Sequence, residues 1–467
     1  MDLEGLNEKQ KEAVLHNKGP LLVLAGAGSG KTRVLTTSIA NLIENEKVDP
    51  RNILAITFTN KAANEMKDRV SNLLNMDVSR LWIGTFHSIC ARILRMNIDK
   101  IGYNSNFTIY DTNDQKTLIK GIINDLGYKD EITPRDAQNL ISSLKNKSIG
   151  PKEFLTIDGY YRYHNEYYEI YRQYEKRKFE YNSLDFDDLI EKVLLLFSKD
   201  KDILKYYQNK FEYVFVDEYQ DTNTSQYELV KNFAGIHKNV FVVGDADQSI
   251  YSFRGADINN ILNFENDFKD AKVIKLEQNY RSTSNILNTA NSLIVNNIER
   301  KDKNLWTDNG IGDEVIYKSN SVESEESKFV VDEIKMLINE GYSYSDIAIL
   351  YRTNAQSRPF EEVLMKNLID YKVVGGLKFY DRKEIKDLVS YLKVIVNPQD
   401  DIALKRIINE PKRGIGNKSV EQLSKLASDN DISILNLIAK PEYRTLLTGR
   451  LRNLTNKFFN PLSEIFK

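Results

Sequence analysis

Cysteine is nearly absent. Cys90 is the only one in 467 residues, so no disulfide can close within the chain. With only four histidines beside it, the sequence offers no Cys/His cluster at the spacing of a structural zinc site. Proline is scarce, at 9, and no stretch is low in complexity, which excludes collagenous and disordered classes; 41% hydrophobic and 28% charged residues describe a globular chain instead. Long apolar runs are missing too. No window of about 18 apolar residues occurs, and the opening MDLEGLNEKQKEAV is charged and amphipathic, without the apolar centre of a signal peptide. From these absences we expect a cytoplasmic protein, neither exported nor membrane-bound. A net charge of -2 leaves nucleic acid open as a partner, because a groove can be basic on a chain that is neutral as a whole.

What is present is an alternation. Residues 21–24 read as a short buried strand with helical spacing over 32–44 behind it; 53–59 is a second strand, followed by a helix over 61–74. A third strand is expected over 80–85, then helical spacing over 86–96, and strands return at 213–217 and 240–244. Buried apolar strands separated by helices predict an α/β fold with a parallel, doubly wound sheet. Residues 109–185 break the rhythm, being rich in Lys, Asn and Tyr at amphipathic helical spacing. We therefore expect residues 1–108 and 186–279 to form one discontinuous domain around a helical insertion at 109–185. Further strands at 314–318, 346–351 and 371–375 suggest a second, partial α/β domain over 280–380, and 381–467 reads as helical.

The turn after the first strand is AGAGSGKT, residues 25–32. It departs from the phosphate-loop pattern GxxxxGK[ST] at one position, with Ala25 in place of the first glycine. Gly26, Gly28 and Gly30 still let the backbone curl, with Ala27 and Ser29 between them, so that N–H groups face phosphate oxygens. The helix starting at Lys31 adds its positive end. Lys31 is the counter-charge for the β and γ phosphates, and Thr32 the hydroxyl ligand of a magnesium ion. The matching carboxylates belong at the end of another strand of that sheet. VFVDEYQD, residues 214–221, supplies Asp217 as the metal carboxylate and Glu218 as the base for the attacking water. Alone, a capped strand end would be the plainer reading; beside AGAGSGKT it gives way.

After the strand ending at Gly244, Gln248 puts an amide where a γ phosphate can be sensed. Tyr251, Phe253 and Arg254 follow at once, suited to stacking on bases and gripping backbone phosphate. Taken by themselves the two aromatics read as a core pair. Phe58 in ITFTNKAA, and Thr85 and His87 in GTFHS, stand at other strand ends on the same edge. In LDFDDL, residues 184–189, Asp185 before an apolar helix reads as an N-cap rather than a metal ligand. PKRGIG, residues 411–416, reads equally as a hairpin holding duplex phosphate and as a plain turn between helices.

These runs, with LNEKQKEAV (6–14), ITFTNKAANEM (56–66), GTFHSICARIL (84–94) and LEQNYRS (276–282), occur in order along the chain. By them it resembles the superfamily 1 DNA helicases of the UvrD/Rep/PcrA family, most of all the PcrA branch. The resemblance implies RecA-like motor domains using ATP and Mg2+, moving 3' to 5' on single-stranded DNA and opening single/double-strand junctions. Repair or replication proteins are the implied partners. It also implies that Gln10 recognises adenine, Arg33 lines the nucleotide pocket, and Tyr280 stacks on the adenine. Arg281 would reach the γ phosphate across a domain cleft, and Gln248 would couple that phosphate to DNA. Phe58, Tyr251 and Phe253 take the positions of the stacking residues, with Arg254, Thr85 and His87 beside them; Phe253 replaces the usual Trp with a smaller face. Two later runs of the family, resembling TVHSAKGLE and AITRA, are not found. The expectation is therefore the N-terminal portion of a longer helicase, impaired by itself; a natural short form is the alternative. In function, the alternative is a nucleotide-dependent DNA-binding module or switch that does not unwind.

Overall fold

Strands covered on both faces are largely apolar, and four strands of the main sheet are buried at every residue. In the computed structural model, which describes residues 3–157, 162–297, 301, 303–374 and 382–464, eight strands occur. They are β1 (Leu21–Ala25), β2 (Ile53–Thr57), β3 (Trp82–Thr85), β4 (Thr108–Ile109), β5 (Ser183–Leu184), β6 (Tyr213–Val216), β7 (Val240–Gly244) and β8 (Lys272–Leu276). β4 and β5 pair only with each other; the rest form one parallel sheet in the order β3-β2-β6-β7-β1-β8. Side chains alternate across it with the period of two that a strand imposes. Leu22, Leu24, Leu54, Ile56, Val214 and Val216 enter one core, under the helices Phe86–Asn97 and Phe186–Lys199. Leu21, Val23, Ala25, Ile53, Ala55 and Phe215 enter the other, under Lys31–Glu44 and Asn60–Leu74.

β8 was not expected. Its run KVIKL sets exposed Lys272 and Lys275 among apolar residues, as suits a strand at the sheet margin paired on one side to β1. Between β3 and β6 the chain leaves the sheet. The helices Thr112–Leu126, Pro134–Asn146, Pro151–Thr156 and His164–Glu180 enclose a separate core around Tyr110, Ile119, Ile122, Phe154, Tyr171 and Tyr174. Residues 393–402 dock on this insertion. Tyr110 donates its hydroxyl proton to Asp400 Oδ1 (2.9 Å), Asn397 Nδ2 donates to the Tyr181 and Asn182 carbonyls, and Lys393 donates to Asp114.

The chain divides into two compact units, Met1–Asp313 with Lys393–Lys467, and Glu314–Leu392. In the second, the helices Glu323–Asn339 and Ser357–Lys366 meet through Val331, Ile334, Leu364 and Ile369. The strands expected at 314–318, 346–351 and 371–375 do not form among the described residues; Gly375 lies outside them. Residues 314–318 are all exposed, whereas Ile347 and Ile349 lean against the helix pair while Leu350 points away, 93% exposed. A strand is an interstrand property, and an alternating apolar run with no neighbour to pair with remains an extended segment hydrogen-bonded to water.

A buried ion cluster ties the insertion to the sheet domain. Asp185 caps the helix Phe186–Lys199, with Asp188 bonding back in a capping box. Glu175, Asp185 and Asp188 lie close enough to hold a metal ion. Ammonium groups fill that role: Lys145 reaches Asp188 at 2.6 Å and Asp185 at 2.8 Å, Lys178 reaches Glu175 at 2.8 Å, and Lys192 reaches Glu175 at 3.2 Å. Burial by itself would raise the Glu175 and Asp185 carboxyls; the attraction of Lys145 and Lys178 outweighs it and holds both below the ordinary carboxylate range. Lys178→Met strands a buried carboxylate and is expected to cost about 3–5 kcal/mol of unfolding free energy by urea titration. A depressed carboxyl contributes stability in full above its unfolded pKa of about 4, and that contribution is lost as pH falls from there through its lowered folded pKa. The gap between the two proteins is thus expected to narrow progressively as pH falls below about 4; a gap constant with pH would contradict the electrostatic account.

Candidate active site

Because β1 is buried to its last residue, the chain must turn sharply at Ala25 to reach the helix Lys31–Glu44. Gly28 and Gly30 do this at φ +70° and +90°, where a side chain is strained. Ser29 Oγ donates to the Gly26 carbonyl at 2.8 Å and draws the loop closed. Gly30 is the N-cap and has no side chain to occupy the first-turn N–H groups, which suits them to an anion. Around the loop space is tight. A Cβ on Gly26 would strike Leu305; one on Gly28 would lie 2.6 Å from Asn279 Nδ2, and one on Gly30 2.8 Å from Gln10 Nε2.

The ends of β1, β6 and β7 converge on Lys31. Its ammonium donates to Glu218 Oε2 at 3.1 Å and to Gln248 Oε1 at 3.4 Å. Glu218 sits in the left-handed region at φ +50°, an unusual conformation for a residue with a side chain. Its carboxylate is steadied by Gln220 Nε2 at 2.9 Å, and its own N–H donates to Asp217 Oδ1 at 3.0 Å. Gln220, four residues into the VFVDEYQD strand end's polar part, was not assigned from sequence; its amide oxygen also accepts the Asp245 N–H, joining β6's end to β7's. Burial pushes the Asp217 carboxyl up to about 6, the Glu218 charge adds to this, and Lys31 opposes it. A divalent cation would relieve that penalty. With the Thr32 hydroxyl one residue beyond Lys31, the oxygen donors present fit a hard cation such as Mg2+.

Gln10 is buried and braces the loop from behind. Its Oε1 accepts the Asn7 N–H at 3.1 Å, and its Nε2 donates to the Ser29 carbonyl at 2.9 Å. Asn7 Nδ2 donates to the Tyr280 hydroxyl (2.8 Å) and to Gln278 Oε1 (3.2 Å). The N-x-x-Q spacing of Asn7 and Gln10 is a capping-box signal that could have pointed to Asn7. On the open side lies the turn 278–282. The Tyr280 N–H donates to the Gly28 carbonyl at 3.0 Å, and Asn279 Nδ2 to the Ala27 carbonyl at 2.6 Å. Asn279 Oδ1 accepts the Arg281 and Ser282 N–H groups, which sets the Arg281 side chain against Gly28. Arg33 is exposed and lies over Gly5.

The aromatics divide by exposure. Tyr251 and Phe253 are 36% and 63% exposed with ring centroids 5.9 Å apart, so they are not a core pair. Phe58 is half-buried and meets Phe86 edge-on at 5.9 Å. Thr85 is the N-cap of the helix Phe86–Asn97, its hydroxyl oxygen accepting the Ser88 N–H. Burial lowers the His87 pKa, and its ring stands at 89° to that of Phe186, 6.0 Å away. Phe186 is 48% exposed and was passed over in the sequence, where it follows the Asp185 cap and looks like the first apolar residue of a helix. The Arg254 side chain lies outside the described residues.

Asn279 is 2% exposed and holds three backbone groups. Asn279→Ala is expected to lower unfolding free energy by about 1–3 kcal/mol, measured by urea titration; no change would mean that the turn is not clamped to the loop.

The UvrD/REP helicase N-terminal domain model matches residues 6–269, and the UvrD-like helicase C-terminal domain model matches 274–456. The chain is 52% identical over 443 residues to ATP-dependent DNA helicase PcrA of Bacillus subtilis (strain 168), covering 94% of this chain and 60% of that protein. Proteins of the same name from Staphylococcus epidermidis and Staphylococcus aureus match with 52% and 51% identity over the same shares. The chain thus spans about 60% of the length of these curated relatives. With its RecA-like sheet and the phosphate loop at the end of β1, and with a family model covering more than half its residues, the chain belongs to the UvrD/REP helicase family.

Proposed function

We propose that the chain carries the ATP-dependent motor of a DNA helicase that translocates 3' to 5' on single-stranded DNA and opens single/double-strand junctions. Residues 1–108 and 186–279 are the first motor domain, 109–185 its helical insertion, 280–380 part of a second RecA-like domain and 381–467 part of that domain's insertion. It works in the cytoplasm with repair or replication proteins. One observation carries the reading: Lys31 meets Gln248 at 3.4 Å, and three residues beyond Gln248 the exposed aromatics begin. A nucleotide site and a surface suited to bases are thereby joined by a single short turn.

The resting contacts define what ATP must change. Lys31 is shared between Glu218 and Gln248, and phosphate oxygens with more negative charge draw it away. Glu218 is then free to accept a proton from the attacking water, held in place by Gln220. Asp217 and Thr32 would hold Mg2+, whose charge would stabilise the phosphates during transfer. Gln10, Asn7 and Tyr280 border the base position, and Arg33 and Arg281 add positive charge around the phosphates. Gln248, released from Lys31, reports the γ phosphate to Tyr251, Phe253 and Arg254.

Stimulation of ATP hydrolysis by single-stranded DNA tests the motor, and strand displacement separates it from a switch that binds without unwinding. Lys31→Ala is expected to weaken nucleotide binding, while Glu218→Gln keeps binding and loses turnover; normal turnover in Glu218→Gln removes it as the base. Tyr251→Ala and Phe253→Ala should each cost about 1–3 kcal/mol of single-strand affinity with Tm unchanged, since both rings are exposed. Phe58→Ala should lower affinity and Tm together, because its ring also packs on Phe86. Loss of affinity only in step with Tm at all three positions would refute the stacking role.

A further inference from the structure

Lys303 belongs to none of the sequence runs that mark the site, yet its side chain is only 6% exposed. Its ammonium donates to Asp245 Oδ1 and, at 2.7 Å, to Asp247 Oδ2. Asp245 follows β7 directly and is 3% exposed. Its Oδ1 also accepts the Asp247 N–H at 3.0 Å, closing the turn Ala246–Gln248, and its Oδ2 accepts from Gln248 Nε2 at 2.6 Å. The Gln248 amide is therefore oriented from both ends, with its NH2 toward Asp245 and its oxygen toward Lys31. A continuous path runs from Lys31 through Gln248 and Asp245 to Lys303.

A buried carboxylate can orient a neighbour only while its own charge is compensated. Without Lys303, Asp245 would turn toward water, and its hold on the Gln248 amide would be lost. The same short segment is tied to the turn that clamps the phosphate loop. The Asn304 N–H donates to Glu277 Oε1 (2.9 Å), the Trp306 N–H to the Glu277 carbonyl (3.1 Å), and the Asn279 N–H to the Trp306 carbonyl (2.7 Å).

We propose that Lys303 is a positioning residue for Gln248: by neutralising Asp245 it fixes the amide that recognises the γ phosphate, while the rest of the nucleotide is held without it. The proposal rests on the reading of Gln248 as the γ-phosphate sensor. It assigns to Lys303 a contribution to telling ATP from ADP, separate from nucleotide affinity in general.

The test compares the Kd of ADP with that of an ATP analogue bearing an imido bridge between the β and γ phosphates, with Mg2+, by titration calorimetry. Wild type is expected to prefer the analogue. Lys303→Met should reduce that preference by about tenfold and leave the ADP Kd within about twofold. Lys303→Gln serves if Lys303→Met melts below the assay temperature, and Lys303→Arg, which keeps a cation there, should retain the preference. In a Gln248→Ala background, removing Lys303 should change nothing further. An unchanged preference in Lys303→Met, an equal loss of ADP affinity, or a further loss in the Gln248→Ala background would each overturn the proposal. Loss of the preference in Lys303→Arg would overturn the charge argument. A wild-type protein with no preference refutes the sensor reading itself, and Lys303 then has nothing to position.

Discussion

All six strands of the main sheet run in one direction, and the site depends on that constraint. A parallel ladder forces each crossover to return to the starting edge, so every strand ends on the same side. Residues 26–32, 58, 85–87, 217–218 and 245–253, scattered over more than two hundred positions, become neighbours for this reason alone. Burial of the strands on both faces holds the register that aligns their ends. A slip of one residue in β6 would turn Val214 and Val216 to the opposite core and carry Glu218 away from Lys31.

Charge is handled in two ways. Where the insertion meets the sheet domain, Lys145, Lys178 and Lys192 face Glu175, Asp185 and Asp188, with Glu191 also on Lys192. Such a cluster gives little net stability over an apolar core, yet it tolerates the loss of no member. At the strand ends the pairing is deliberately incomplete. Among the described residues Lys31 is the cation facing Glu218 and the raised carboxyl of Asp217, so an anion and a cation arriving together improve the balance on both sides. The first arrangement holds parts together, and the second leaves room for a ligand.

Legibility followed the range of the interactions. The phosphate loop, the Asp217–Glu218 pair and the Asp185 cap were readable because each is a local pattern whose physics is complete within a few residues. β8 was missed because its two lysines mask the apolar alternation, and only β1 alongside it makes KVIKL a strand. The runs at 314–318 and 346–351 failed in the opposite sense, having strand-like alternation without a pairing strand among the described residues. Asn279, Gln220, Phe186 and Lys303 were passed over because their partners, Ala27, Asp245, His87 and again Asp245, are far away in sequence or on another element.

By itself the sequence determined which residue types stand at the strand ends: three glycines and a lysine suited to phosphate, a hydroxyl and carboxylates suited to a cation, and aromatics. Those follow from residue type and short spacing, which survive without any knowledge of the fold. Tertiary structure alone decided which aromatics face solvent, leaving Tyr251 and Phe253 exposed while Phe58 leans on Phe86. It also decided that Thr85 caps a helix, that Gln10 supports the loop from behind, and that a lysine outside every motif compensates Asp245. The physical reason is that exposure and charge compensation are properties of neighbours brought together by packing, and a one-dimensional pattern carries no record of them.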